Sequence, residues 1–381
     1  MKIAHVCLAG AYTEGMNYQD NALVRANRQD GHDVLIVSDC KSFDGGTIVD
    51  TQPEDVITSN GARLVRLKFK HFLSKYLTEK LKICPDLETI LEDYRPDVIL
   101  YHGVIGWSML TVGKYKRNNP GTRLYLDSHE DYNNSGRSWA SRLFQYKILT
   151  RQLVHRILNE VDKIFYISLE TRVFLKEQLR LPDDCLEYYP LGGFLMEENE
   201  KQDYRDKVRR ELNLDSDSIV FLHSGKLDAM KRTKWILEAF AKIKDPDCRL
   251  LIAGDIPDST AAELSPRIQA DDRVVFLGWQ DAESLTALMC ASDAYIQPGG
   301  QSASLQHAIC CGMPIMVYPH PSHAPFLVGN GAYVSSADQI ADEVRNWIAN
   351  PDLLKAYSAA SYDIARKLLD YRKLAARLYE V

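Results

Sequence analysis

The chain predicts two α/β domains in series, each a doubly wound, Rossmann-like parallel sheet. Short apolar runs alternate with amphipathic helical stretches, the alternation breaks once near residue 190, and it then restarts in the same pattern. A length of 381 residues suits two domains better than one.

Strands are expected at 2–8, 34–38, 63–68, 97–101, 123–127 and 163–167, short apolar runs of the kind a sheet buried on both faces requires. Helices read between them, for example at 19–30 and 140–160. At Tyr189-Pro190-Leu191-Gly192-Gly193-Phe194 the turn formers interrupt the pattern, and the polar run Glu197 to Asp203 marks a linker. Strands resume at 219–223, 249–253, 273–277, 293–297 and 314–318. The expected domains are 1–195 and 196–361, with 362–381 as a terminal helix. Its apolar residues Ile364, Leu368, Leu369, Leu374 and Leu378 recur at helical spacing. Ligands of such sheets sit beyond the carboxyl ends of the strands. Two facing sheets would therefore enclose a cleft with one ligand on each wall.

Composition narrows the class. The chain is 45% hydrophobic and 26% charged with a net charge of −6, which fits a soluble globular protein and argues against nucleic acid as a partner. No run approaches the roughly 18 apolar residues of a membrane span. The first residues, Met1-Lys2-Ile3-Ala4-His5-Val6, enter a strand pattern without a signal-peptide layout. The eight cysteines form no Cys-x-x-Cys pair and read as reduced core thiols of a cytoplasmic protein.

Candidate chemistry concentrates after the strands. Phe221-Leu222-His223-Ser224-Gly225 is followed by Lys226 and Lys231, two cations just past a strand end. Pro298-Gly299-Gly300-Gln301-Ser302-Ala303-Ser304 places small residues at the start of a helix. Cations and free helix N–H groups both favour anions, so the two segments together suit a pyrophosphate. The same features also read as a solvated cationic turn and an ordinary serine N-cap. In the first half, Asp127-Ser128-His129-Glu130-Asp131 is a dense titratable cluster just past a strand, as an active-site loop would be. A capping acidic turn is its plainer alternative, and no other ligands stand at a recognisable metal-site spacing. Gly10 to Gly15 follows the first strand and permits close backbone approach to a ligand. Asp39 ends the second strand where the ribose-binding acid of a dinucleotide fold would lie, but the Gly-x-Gly-x-x-Gly spacing is missing.

The residues resemble a known group, the GT-B glycosyltransferases, and within them glycosyltransferase family 4. The motifs are Gly225-Lys226-Leu227-Asp228-Ala229-Met230-Lys231, Leu237-Glu238-Ala239-Phe240, Ala253-Gly254-Asp255 and Val274-Val275-Phe276-Leu277-Gly278-Trp279. The segment Ala291 to Pro298 and the phosphate helix ending Gly312-Met313-Pro314 complete the set. The resemblance implies a sugar donor bound by Gly15, Lys226, Lys231, Gly254, Gly278, Ser302, Ala303, Ser304 and His307. It implies an acceptor bound near Asp127, Glu130 and Asp131, with His129 and Lys231 as the catalytic pair. Lysine and helix dipole would take the leaving-group charge, so neither a metal nor a cofactor is implied beyond the nucleotide diphosphate sugar itself. The family's two motif glutamates align with Gly299 and His307, and its arginine with Lys226. The family's last helix crosses back to the N-terminal domain, which would place hinges there and near 190–200.

Two stretches are basic. Residues 63–82 carry seven lysines and arginines against Glu79, and residues 137–156 carry five and no acid, interleaved with Trp139, Leu143, Phe144, Tyr146, Ile148 and Leu149. An amphipathic helix of this kind suits either an anionic membrane surface or a solvated face packed on a core.

The reading is a cytoplasmic enzyme, peripheral to the inner face of the membrane, that moves a sugar from a nucleotide diphosphate sugar to a glycan or lipid-linked acceptor in bacterial surface polysaccharide synthesis. The alternatives are a non-catalytic relative that binds a nucleotide or glycan, and a nucleotide-sugar epimerase.

Overall fold

Ten strands build the first half of the computed structural model, which describes residues 1–380 apart from 17, 45, 46 and 73. They are Lys2–Cys7 (β1), Asp33–Asp39 (β2), Lys41–Asp44 (β3), Thr47–Asp50 (β4), Glu54–Ile57 (β5), Arg63–Leu67 (β6), Val98–His102 (β7), Arg123–Ser128 (β8), Lys163–Tyr166 (β9) and Leu186–Tyr188 (β10). Eight of them form one sheet in the order β10-β9-β8-β7-β1-β2-β6-β5, and β3 pairs with β4 as a separate hairpin. Neighbours in the sheet run parallel except for the edge strand β5, which is antiparallel to β6. Ala4, Val6, Leu35 and Val37 enter one core, while Cys7, Val34 and Ile36 enter the other. Alternate residues thus bury both faces, which is why the central strands hold so few polar side chains.

The second half repeats the scheme with Ile219–Ser224 (β11), Cys248–Ala253 (β12), Val274–Phe276 (β13), Ala294–Gln297 (β14), Ile315–Val317 (β15) and Gly331–Tyr333 (β16). These six strands are all parallel, in the order β13-β12-β11-β14-β15-β16. Strand order reverses beside β1, between β7 and β2, and beside β11, between β14 and β12. The carboxyl ends of these strands are the natural ligand crevices of the two sheets.

The chain divides into the compact units Met1–Pro190 with Tyr371–Val381, and Leu191–Asp370. It therefore passes from one to the other at Pro190–Leu191, against the 195/196 read from composition. It returns at Asp370–Tyr371, so Tyr362 to Leu369 stays with the second unit. Pro351–Ile364 runs on through a π-type turn, Ala365–Leu369, and Tyr371–Ala376 then packs in the first unit. There Tyr371, Leu374 and Leu378 are buried, and the Tyr189 hydroxyl donates to the Leu374 carbonyl at 2.6 Å.

The predicted strands are present with ends shifted by a residue or so, and the structure adds β3, β4, β5, β10 and β16. β10 and β16 are three residues each, too short to show a period, and β4 and β5 are exposed along their whole length. Between 140 and 160 the backbone is wound wide as a π-helix over Ser141–Thr150 before a regular α-helix at Arg151–Ile157. The helix start expected near Asn17 lies outside the described residues, and the helix itself is Gln19–Gln29. Among the described residues no helix is long and apolar enough to cross a membrane.

Candidate functional site

In the second unit, three segments meet at the ends of β11 and β14. β11 delivers Ser224 and then Gly225, whose φ of +132° turns the chain sharply. Asp228 caps the short turn Ala229–Lys231 by accepting from the Met230 N–H at 3.0 Å. The Lys231 side chain lies back over Gly225, with Nζ 3.2 Å from where a β-carbon there would stand. Burial lowers the Lys231 pKa while Asp228 opposes the shift. Lys226, by contrast, is exposed.

Gly254, at the end of β12, explains part of the glycine motif. A β-carbon on it would stand 1.8 Å from the Gly225 carbonyl oxygen, and its φ is +141°. Its glycine identity serves the contact between the two loops. Its N–H donates to the Gly278 carbonyl at 2.7 Å.

Opposite lies the helix Ala303–Cys310, capped by Ser302, whose hydroxyl accepts from the Leu305 N–H at 3.3 Å. Ser302, Ala303 and Ser304 are half-buried. The buried Tyr295 hydroxyl lies 2.9 Å from Ser224 Oγ and also interacts with the Ser302 and Ser304 side chains, tying the end of β11 to the helix start. Gly299 abuts the cationic turn: a β-carbon there would meet the Met230 carbonyl at 2.7 Å and Lys231 Cα at 3.0 Å. No side chain fits at 299 unless that turn moves. His307 sits one turn into the helix and packs against the linker, with Cδ2 3.0 Å from the β-carbon position of Gly193.

Arg232, Trp235, Tyr318 and His323 build a further wall of this site. Arg232 donates to the Pro298 carbonyl at 2.9 Å and lies 3.8 Å from the Tyr318 ring centroid and 4.7 Å from that of Trp235. His323, after β15, is close enough to Lys231 to feel its charge. The Lys231-Arg232 doublet was the one visible signal, and it reads equally as a solvated turn.

Burial also keeps two histidines of this unit neutral. It takes His223 and His323 from the ordinary 6.5 down to about 4, against hydrogen bonds to the Ile296 and Tyr318 carbonyls that raise them. Each protonates more readily unfolded than folded. Their contribution is therefore whole above pH 6.5 and erodes as pH falls toward 4, by roughly 2 kcal/mol each at pH 5. These two sites should accordingly lower the urea midpoint between pH 7 and pH 5, a contribution read by comparison with a variant. The drop should shrink in His223→Asn, whose amide can still donate to the Ile296 carbonyl. An equal drop in that variant would remove His223 from the explanation.

In the first unit the cluster forms at the ends of β7 and β8, whose register sets His102 beside Asp127. Asp127 is 1% exposed. Its Oδ1 accepts from the Gly103 N–H at 2.8 Å and lies 3.7 Å from His129 Nε2, and its Oδ2 lies 2.7 Å from His102 Nδ1. Behind it, His102 Nε2 is 3.0 Å from His5 Nδ1, and His5 Nε2 is 2.8 Å from Asn27 Oδ1. Burial would raise the Asp127 pKa, but His102 and His129 overcome it and hold the carboxyl well below the usual range. Burial would lower His102 and His129, yet Asp127 helps to carry both upward. Burial takes His5 down to about 3, so it stands neutral.

Asp127 is thus enclosed, with His102 and His129 against its two oxygens. The His129 side chain is 44% exposed and can reach a ligand. Glu130 Oε2 accepts from Ser128 Oγ–H and from the His129 N–H at 3.1 Å, and burial raises its pKa. Asp131 Oδ1 accepts the N–H groups of Asn133 and Asn134 at 2.7 Å each and so holds its own turn. Gly15 stands in an exposed turn with φ +82°. Asp20, in the first turn of Gln19–Gln29, faces His102 and His129, and burial raises its pKa. His5 joins the site only through strand order, β1 lying beside β7, and Asp20 through the start of its helix. Among the described residues, no group of three or more His, Cys, Asp or Glu could hold a metal ion.

Two family models match in tandem: the glycosyl transferase 4-like domain over residues 14–192 and the glycosyl transferases group 1 model over 204–363. The solved structure of the Anabaena protein HepE in complex with UDP superposes with a TM-score of 0.70 at 15% identity, covering 100% of this chain and 99% of that one. The chain is a GT-B glycosyltransferase-type protein resembling family 4. WaaG, a glycosyltransferase involved in lipopolysaccharide biosynthesis, matches this GT-B chain with a TM-score of 0.65 at 14% identity over the full length of both. In sequence, it is 29% identical over 113 residues to the N-acetyl-alpha-D-glucosaminyl L-malate synthase of Bacillus anthracis, 28% of this chain and 29% of that protein. It is 24% identical over 228 residues to an uncharacterised glycosyltransferase of Methanocaldococcus jannaschii, 57% of each. The GT-B chain therefore spans less than two thirds of each curated relative it matches.

Proposed function

We propose that this protein transfers a sugar, of hexose type, from a nucleotide diphosphate sugar to a hydroxyl of a glycan or lipid-linked acceptor. The observation that carries the reading is the Lys231 ammonium folded over Gly225 at the strand-order switch of the second sheet. With the capped helix start at Ser302, it offers a fixed cation and free N–H groups where a diphosphate leaves. Lys231 and the helix start stabilise the charge that develops on the leaving group, with no metal in this reading. In this reading the first unit binds the acceptor. There His129, held by Asp127, orients the attacking hydroxyl or shares its proton. The likeness to WaaG supports a surface-polysaccharide setting.

The test is release of nucleoside diphosphate from UDP-, GDP-, CDP- and ADP-sugars, with and without acceptor glycans. Turnover of one donor supports the reading. Gly299, which leaves no room for a side chain beside Lys231, favours a second one, a protein that binds a nucleotide sugar without transferring it. Binding without turnover would select that second reading.

The same proposal includes an anionic membrane surface at the inner face of the membrane. The two basic stretches are joined in the first unit, where Lys80 Nζ donates to Gln145 Oε1 at 2.7 Å. Beside that contact Lys80 Nζ lies 5.7 Å from the Tyr76 ring centroid and Trp139 packs on Phe144, with Trp139 70%, Tyr76 69% and Phe144 60% exposed and Lys147 exposed as well. Exposed aromatic side chains on a basic stretch suit a headgroup boundary. The protein should float with phosphatidylglycerol vesicles and not with phosphatidylcholine vesicles, and a Trp139→Ala, Phe144→Ala double variant should lose most of that binding. Equal flotation with both lipids would contradict this part of the proposal.

A further inference from the structure

A cavity of about 360 Å³ opens in the first unit at the carboxyl ends of β2 and β6, away from the His129 cluster, and belongs to none of the predicted site residues. The hairpin β3–β4 walls one side of it and the helix Lys75–Leu81 another. Asp39 lines it at 3% exposure, and its Oδ1 has no hydrogen-bond partner among the described residues. Thr51 lies beside it, its N–H donating to the Cys40 carbonyl at 2.9 Å, and its Oγ1 is likewise buried and without a partner among them. Phe69, Lys68 and His71 complete the lining around these two oxygens.

The charge at this site is balanced. Lys41 is taken by Glu79 at 2.6 Å, and Lys75 stands 3.9 Å from Asp50. Burial raises the Asp39 pKa to about 6, with the cations Lys82 and Lys41 opposing the shift. An anion entering here would meet the Asp39 carboxylate, and a cation would meet Lys68 and its neighbours. A ligand rich in hydroxyls suits both. It can donate to the Asp39 carboxylate and the Thr51 hydroxyl, accept from Lys68, and lay an apolar ring face on the part of Phe69 that the core and Lys82, 5.3 Å from its ring centroid, leave open.

We propose that this cavity is a subsite for a neutral pyranose residue, with Asp39 and Thr51 holding its hydroxyls and Phe69 its ring face. It deepens the acceptor side of the transferase reading and rests on that reading only for which sugar-bearing molecule delivers the pyranose.

Saturation-transfer NMR with the methyl α-pyranosides of glucose, galactose, mannose and N-acetylglucosamine, without any nucleotide, tests it on the full chain. At least one glycoside should receive saturation from the wild type. Its affinity should fall about threefold to tenfold in each of Asp39→Asn, Thr51→Val and Phe69→Leu, the loss expected for one contact, while Lys231→Ala leaves it unchanged. The variants' melting temperatures separate lost binding from lost folding. No saturation with any glycoside would overturn the subsite, as would equal affinity in all three cavity variants. Competition of the glycoside by inorganic phosphate would also overturn it, by marking an anion site. Failure of donor turnover would count against the transferase reading and leave the glycoside result standing.

Discussion

Lys231→Ala should weaken binding of the cognate nucleoside diphosphate about 10- to 100-fold, the range for losing a hydrogen bond to a charged group. It should lower sugar-transfer turnover further, by about 10²–10³-fold, because the ammonium acts most strongly where charge develops in the transition state. The geometry makes this cation hard to replace. Its side chain is confined over Gly225, while Lys226 is exposed and Arg232 is committed to the Pro298 carbonyl and the Tyr318 ring. Lys226→Ala should therefore cost much less. Both variants should melt close to the wild type, since neither lysine closes a core. Calorimetric titration with nucleoside diphosphate and a turnover assay on the same preparations check the pair of effects.

Asp127→Ala should cost about 3–5 kcal/mol of stability at pH 7, the penalty of leaving one member of a buried ion pair without the other. His102, 2.7 Å from the carboxylate, carries a raised pKa that depends on it. The milder Asp127→Asn should cost less, because His102 can turn neutral and move its remaining proton to the nitrogen facing His5. Both variants should bring the His129 pKa down, since the Asp127 contact and charge raise it against the pull of burial. They should also slow transfer if His129 orients the acceptor. Urea denaturation measures the first effect and an NMR titration of the histidine ring protons the second. An Asp127→Ala protein as stable as the wild type would mean that the buried pair does not hold the loop.

The central strands were legible because each is buried on both faces and is apolar up to its carboxyl end, as Val98 to Tyr101 of β7 and Ile219 to Leu222 of β11 are. The hairpin β3–β4 and the edge strand β5 were not, because they lie exposed or half-exposed and no period of burial shaped their sequence. At the second-unit site, Gly225, Lys231 and Ser302 could be read because one short segment carries each feature. Tyr318 against Arg232 could not, because β15 brings them together from distant positions. His102 shows the same limit: only the register of β7 against β8 sets it beside Asp127. The requirement for glycine at 254 was visible as a motif, but its cause, the Gly225 carbonyl pressed against it, is a property of the fold.

Whether Lys231 holds a nucleoside diphosphate is decided by calorimetric titration of the wild type and Lys231→Ala with UDP, GDP, CDP and ADP. One of the four should bind the wild type at one site and bind the variant at least about tenfold more weakly. No binding by any of the four, or equal affinity in the variant, would contradict it.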